Sequence, residues 1–240
     1  MNFFFAKKNN ENSDEYNKGI RIDELFKINS VGIVTAADST LINFSEIELL
    51  DNLRKILNTN TKNKLSIKFE KHVLDASNIR LISYRPFDDR FIYYSDEILE
   101  RARVVVMKNM VPSQNYGLSW IRPMSKSYDF DIFISKNVID QCFAGNKSAG
   151  AGISYLGPLY IITADGEKLS NLNVKIVSEI EKVVGKVSPE DIFDYVYAIL
   201  YSPNYRKKYR ELLKIGFPCI PYPKDIKSFK KSRKKRNLEH

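Results

Sequence analysis

The chain has 240 residues, 43% hydrophobic and 28% charged, which suits one large domain or two small ones with a substantial core. Its formal charge of +9 favours a polyanionic partner or an anionic membrane surface. No run approaches the roughly 18 apolar residues of a spanning helix. Two distant cysteines, with His72 and His240 as the only histidines, argue against structural zinc.

Residues 1–6 are apolar but short, and Lys7 and Lys8 follow them instead of preceding them. That order is the reverse of a secretion signal, so a cytoplasmic protein without a membrane partner is expected. Asn9 to Lys18 is polar and reads as a loop. Ile22 to Phe26 reads as a short helix entered through Asp23, and Ser30 to Thr35 as a strand. Gly32 in that strand marks either a simple bend or a close approach of another backbone.

Phe44 to Leu57 is an amphipathic helix: Ser45 and Glu48 make a capping-box pattern, and Ile47, Leu50, Leu53, Ile56 and Leu57 recur at helical spacing. Ser66 to Leu74 fits strand or helix. Next come two aromatic, β-prone runs around Arg85-Pro86-Phe87-Asp88-Asp89-Arg90. Pro86 cannot join a ladder, and Asp88 and Asp89 are good turn residues, so the reading is strand, tight turn, strand. Asp96 to Arg103 reads as one or two helical turns, and Val104 to Met107 as a buried strand. Leu118 to Arg122 and Asp131 to Ser135 are further strands, with a polar loop from Pro123 to Tyr128 between them, and Val138 to Asp140 begins a turn.

Gly145-Asn146-Lys147-Ser148 invites comparison with a phosphate-binding loop. Asn146 stands where the motif needs glycine, and the glycine-rich run that follows opposes a helix, so a nucleotide loop is rejected. Pro158 to Ile162 is a strand ending at an Asp165-Gly166 turn. Helices are expected from Asn173 to Gly185, from the Ser188 cap and Pro189 to Leu200, and from Asn204 to Leu213. Phe217 to Pro223 must be extended, and Lys227 to Arg236 is a basic tail. Leu238-Glu239-His240 has the look of a vector-derived tag and is left out of fold reasoning.

The expected fold is α+β: a mixed or antiparallel twisted sheet with flanking helices and a helical C-terminal element. Residues 1–21 form an N-terminal extension, 22–170 an α/β domain, 171–223 the helical element packed on it, and 224–240 a basic tail with the tag remnant.

Catalytic material is sparse. Asp129 and Asp131 share a strand face and could hold a divalent cation, but no lysine follows at the spacing of a nuclease core. The stronger signal is basic and aromatic. Arg85, Arg90, Arg101, Arg103, Lys126 and Lys136 suit phosphate contacts, while Gln114, Asn115 and Arg122 are types that bind adenine or guanine bidentately. The same residues also fit a solvated basic face. Arg85 to Arg90 also fits a structural corner in which Asp88 or Asp89 pairs with an arginine.

Several motifs occur in a fixed order: Val31-Gly32-Ile33-Val34-Thr35, Tyr84-Arg85-Pro86-Phe87-Asp88-x-Arg90-x-x-Tyr93-Tyr94, Pro158-Leu159-Tyr160, and a long block from Pro189 through Tyr205-Arg206-x-x-Tyr209 to Pro221. Together they resemble the C-terminal specificity region of type ISP single-polypeptide restriction–modification enzymes and related adenine methyltransferases, from about Ile22 to Pro223. Lys108 stands where relatives suggest a histidine, and Cys219 where they suggest an arginine. The resemblance implies a sequence-specific recognition fragment for double-stranded DNA, not an enzyme by itself and needing no cofactor. Upstream methyltransferase, translocase and nuclease domains of the parent polypeptide would use S-adenosylmethionine, ATP and Mg. The resemblance makes the Tyr84–Asp88 block a scaffold corner that could also touch phosphate, and moves base readout to the segments around Gln114–Asn115 and Arg122–Tyr128. Two alternatives stay open: a metal-dependent nuclease on Asp129 and Asp131, and a scaffold that docks the methyltransferase or translocase core through the helix Pro189 to Leu200.

Overall fold

The computed structural model describes residues 6–58, 64–111, 114–122, 130–145 and 152–233. The helices are α1 (Ala6–Asn17), α2 (Ile22–Leu25), α3 (Asp38–Leu41), α4 (Glu46–Leu57), α5 (Lys64–Glu70), α6 (Val104–Met107), α7 (Val174–Val184), α8 (Pro189–Tyr201), α9 (Pro203–Leu213) and α10 (Ile226–Arg233). The strands are β1 (Ile20–Arg21), β2 (Ser30–Val31), β3 (Ile42–Asn43), β4 (Ile79–Arg85), β5 (Asp88–Tyr93), β6 (Gly117–Arg122), β7 (Ile132–Ser135), β8 (Val138–Ile139), β9 (Ile153–Pro158), β10 (Tyr160–Ile162), β11 (Lys168–Ser170) and β12 (Cys219–Ile220).

The expected α+β architecture is present, divided over two four-stranded sheets. One has the order β3-β5-β4-β8, with β8 parallel to β4 and the other pairs antiparallel. The other is antiparallel throughout, in the order β2-β9-β6-β7. The chain passes from β7 to β8, and so between sheets, through Lys136 and Asn137. There the buried hydroxyls of Ser83 and Ser135 lie 3.0 Å apart and tie the sheets together.

Two apolar cores accompany the sheets. The first gathers Leu41, Leu49, Leu53, Phe69, Ile82, Ile92 and Tyr93 around the β4–β5 hairpin. The second joins Ile22, Leu25 and Phe26 from near the N-terminus to Trp120 of β6 and to the apolar faces of α7, α8 and α9. Trp120 is fully buried and stacked between Phe26 (5.8 Å) and Tyr155 (6.0 Å). The second core therefore draws on residues from both sides of position 170.

The C-terminal helices follow their local signals. Asn173 caps α7 and Gly185, at φ 81°, ends it. Ser188 and Asp191 form a complete capping box at the start of α8. Ser45 likewise accepts from the Glu48 N–H at 3.2 Å to cap α4. Within α4, however, Leu49, Leu53 and Ile56 turn inward while Ile47 is 74% exposed and Leu57 is also exposed, so the apolar stripe is offset from the predicted one.

Other local readings are corrected. The polar segment Asn9 to Lys18 lies largely in α1, held at its end by Tyr16, which is buried beside Tyr209 at 4.9 Å. Ser66 to Glu70 is helical. Val104 to Met107 is one helical turn, not a buried strand, with Val105 67% exposed. Asp96 to Arg103 forms bends and turns without a helix, and Val138–Ile139 is a strand, not a turn. The segment from Lys227 to Arg233 is the larger part of α10, anchored by Phe229, which is buried against Tyr195 at 5.1 Å. A Cβ on Gly32 would collide with the Asp140 backbone, so this glycine serves a close approach and not a simple bend. The Gly145–Gly152 loop and the last residues of the tail fall mostly outside the described residues.

Candidate nucleic-acid interface

The hairpin of β4 and β5 turns at Pro86-Phe87 with a register shift between Ser83 and Arg85. Proline presets its own φ, and Phe87 completes the turn with a left-handed φ of 63°. Its ring is fully exposed. The arginines on either side are engaged internally. Arg85 meets the Asp140 carboxylate at 2.7 Å and lies over the Tyr84 ring at 4.0 Å. Arg90 grips Asp88 with two parallel bonds, 2.8 and 2.7 Å, and stacks on Phe44 and Tyr84 at 4.2 and 4.3 Å. Asp89 accepts from Ser83 (2.7 Å) and Asn137 (3.1 Å). Tyr84 in turn donates to Asp38 at 3.0 Å.

Electrostatics follow from these partners. The Arg90 guanidinium holds the Asp88 carboxyl below its ordinary range. Burial pushes the Asp140 carboxyl up, against the opposing pull of the Cys142 N–H and Arg85. Burial also raises the Tyr84 phenol. Of the two readings open for this stretch, the structural corner is the one observed: Asp140 pairs with Arg85 and Asp88 with Arg90, while Asp89 is held by Ser83 and Asn137.

Beside the corner lies a cleft of about 680 Å³ whose lining includes Leu81, Pro86, Phe87, Tyr116, Phe133 and Lys136. Lys136 is exposed, with its ammonium 5.4 Å from the Tyr116 ring centre. Gln114 is exposed at the turn before β6, where its carbonyl accepts from Lys168 at 2.8 Å. Arg101 is exposed beside the Val34 bridge. Arg103 sits in the left-handed region at φ 54° before α6, its Nε buried and without a hydrogen-bond partner among the described residues. Arg122 ends β6, and its side chain lies outside the described residues, as does the whole of Lys126.

Asn115 is a correction. It is 1% exposed, and its amide is saturated: Nδ2 donates to the carbonyls of Asn109 (2.9 Å) and Tyr160 (2.8 Å), while Oδ1 accepts from the N–H groups of Tyr116 (2.9 Å) and Tyr160 (3.2 Å). A side chain so occupied fastens the approach to β6 onto β10 and has no donor or acceptor left for a base edge. Asn171 does the same work elsewhere, bonding Ile28 on both its N–H and C=O and donating to the Pro158 carbonyl at 2.7 Å. Sequence alone does not distinguish a buried bolt from an exposed reader.

The alternatives fare unequally. Asp129 lies outside the described residues, and Asp131 faces Arg206 at 3.5 Å. Among the described residues no cluster of three or more His, Cys, Asp or Glu is placed to hold a metal. The proposed docking face of α8 is spent inside the chain, since Ile192, Phe193, Tyr195, Val196 and Leu200 are all buried in the second core. Among the described residues no helix is long and apolar enough to cross a membrane.

The sequence reading assigned no contact to one cluster, although a motif runs through it. Arg206, Lys207 and Arg210 of α9 line a second cleft with Phe130 and Leu213. Its signal was the alternation of base and aromatic from Tyr205 to Arg210.

Comparison with known proteins places these features in context. The model of the Type ISP C-terminal specificity domain matches residues 24–235. No curated protein matches the chain. Three solved structures share the fold. They are a DrdV–DNA complex (23% identity, TM-score 0.71), the ATP-dependent Type ISP restriction-modification enzyme LlaBIII bound to DNA (22%, 0.73), and a nuclease-deletion mutant of the Type ISP enzyme LlaGI with a DNA substrate mimic (23%, 0.67). They cover 88%, 93% and 93% of this chain, which spans only 23%, 16% and 23% of theirs.

Proposed function

The chain belongs to the family of Type ISP C-terminal specificity domains, and from that premise we propose that it reads a site on double-stranded DNA for a longer restriction–modification enzyme. The observation that carries this reading is the family match over almost the whole chain, joined to a fold shared with enzymes solved on DNA. The chain accounts for less than a quarter of those enzymes' length, so catalysis belongs to the remainder of the parent polypeptide. The parent would be a site-specific adenine N6-methyltransferase with endonuclease activity, acting in the cytoplasm. S-adenosylmethionine, Mg and ATP would serve its upstream domains.

Within the chain, Arg101, Gln114, Arg122, Lys126 and Lys136 remain the proposed DNA contacts from the strand-rich region. Gln114 and the segment Arg122 to Tyr128 are the proposed base readers. Arg85 and Arg90 support the corner and offer at most their outer edges to phosphate. The domain also packs against the methyltransferase core, through a face other than the buried side of α8.

Duplex binding by the 240-residue chain should weaken steeply and linearly in log–log form with added salt, because phosphate contacts release counterions. Fluorescence anisotropy on labelled duplexes from about 50 to 200 mM KCl measures this. The chain alone should transfer no methyl group, and co-purification with the separately expressed methyltransferase core tests the docking. Absent or salt-independent binding to every duplex tested would refute the DNA reading.

A further inference from the structure

Phe87 is the most exposed large apolar side chain among the described residues, and it stands in the left-handed region at φ 63°. Both properties are unfavourable in the chain by itself. Water meets the whole ring, and a glycine would hold this turn without backbone strain. Among the described residues the ring makes no aromatic or cationic contact that would explain its presence.

The mount beneath the ring is rigid. On one side Arg85 is fixed to Asp140 at 2.7 Å, and on the other Arg90 grips Asp88 at 2.8 and 2.7 Å. Asp89 is held by Ser83 (2.7 Å) and Asn137 (3.1 Å). A strained, solvent-facing ring on a turn that its surroundings over-determine is the pattern of a side chain held out for a partner.

The same ring walls the cleft of about 680 Å³, together with Leu81, Tyr116, Phe133 and Lys136. Leu81 and Tyr116 are exposed as well. Lys136 makes no ion pair among the described residues, and its ammonium is 5.4 Å from the Tyr116 ring centre. Among the described lining residues the only carboxylate is Asp89, already occupied by Ser83 and Asn137. This lining selects among partners. A row of phosphates needs several free cations, and the cleft has one. Flat rings with a single cation suit the rest of a nucleotide: sugar and base surface against the rings, and one phosphate at the ammonium.

We infer that the tip of the β4–β5 hairpin is an apolar wedge for duplex DNA. Phe87 enters a groove and lies against sugars and base surface, and Lys136 takes an adjoining phosphate. The inference rests on the DNA reading above and deepens it, because the paired arginines of the corner become the brace for the ring that touches the duplex. A phenyl ring has no donor or acceptor, so the contact holds the duplex and adds no hydrogen-bonded readout.

The test uses the 240-residue chain and a labelled duplex of arbitrary sequence. Anisotropy is read across a KCl series, and circular dichroism verifies folding. Phe87→Ala should weaken binding at least about fivefold at every salt concentration and leave the log–log slope unchanged, since an apolar contact releases no counterion. Phe87→Tyr keeps a flat ring and should bind within about twofold of the intact chain. Lys136→Ala should lower the slope by about 1. Val73→Ala, at an exposed apolar residue outside the cleft lining, should change neither affinity nor slope. Salt-dependent binding by the intact chain that Phe87→Ala leaves untouched would overturn the wedge and leave the DNA reading standing. So would a folded Phe87→Ala chain that binds duplex normally but no longer co-purifies with the separately expressed methyltransferase core, since the tip would then be a protein contact. An equal loss from Val73→Ala would also overturn it. If the intact chain binds no duplex at any salt concentration, the DNA reading itself fails and the wedge with it.

Discussion

The β4–β5 corner and helix α9 both set arginines against aromatic rings, yet they hold them by different means. At the corner, Arg85 and Arg90 are consumed by Asp140 and Asp88, and their planes cover Tyr84 and Phe44. On α9, Arg206 donates from Nε to the Leu200 carbonyl at 2.8 Å and faces Asp131 at 3.5 Å, and Lys207 and Arg210 line the same cleft. The acids make the difference. An arginine-rich motif that carries its own aspartates is held by ion pairs across the fold, whereas Arg206 is fixed by a backbone carbonyl, with one carboxylate at 3.5 Å. Counting basic residues therefore does not by itself locate a contact surface.

The sharpest way to break the contrast is at the buried polar bolt of the strand-rich region. Asn115→Ala strands two carbonyls and two N–H groups, and should cost about 3 kcal/mol or more of stability. Urea denaturation measures it. A fully stable Asn115→Ala chain with altered sequence preference would return Asn115 to the base readers.

Arg85→Ala comes next, with roughly 1–3 kcal/mol expected at neutral pH, since it leaves a buried carboxylate without its cation. Burial already lifts the Asp140 carboxyl above its unfolded value. Such a group contributes stability that is present below the unfolded pKa and lost as pH rises through the folded one. Removing Arg85 lifts that carboxyl further, so the deficit should be largest near pH 7 and shrink toward about pH 4. A pH-independent loss in paired denaturation curves would show that the ion pair is not what Arg85 provides.

Arg90→Ala should cost less, about 1 kcal/mol, because its pair with Asp88 is partly exposed. Any change in DNA binding should be uniform across sequences. A shift in sequence preference alone, measured on a panel of duplexes, would make the corner a reader. The smallest effect is expected at Phe87, where glycine relieves a left-handed φ. Phe87→Gly should hold or raise stability by up to about 1 kcal/mol in thermal melts. A clear loss would mean the exposed ring is packed against something within the chain.

Sequence by itself determined what depends on neighbours along the chain. The caps at Ser45, Asn173 and Ser188, the glycine stop at Gly185 and the Pro86 hairpin are short-range hydrogen-bond and steric codes, and each is present where its residues stand. The order of motifs also identified the family, which its model matches over residues 24–235. Tertiary structure alone decided the rest. It made a helix of the polar N-terminal segment by burying Tyr16 on Tyr209, and another of the basic segment from Ile226 by burying Phe229 on Tyr195. It turned α8 inward, locked Asn115 between Asn109 and Tyr160, and gave Arg85 a partner 55 positions away. A side chain's partners across the fold set its burial and its free valences, and no local pattern encodes them. The same amide or guanidinium can therefore fasten a core at one position and face an anion at another.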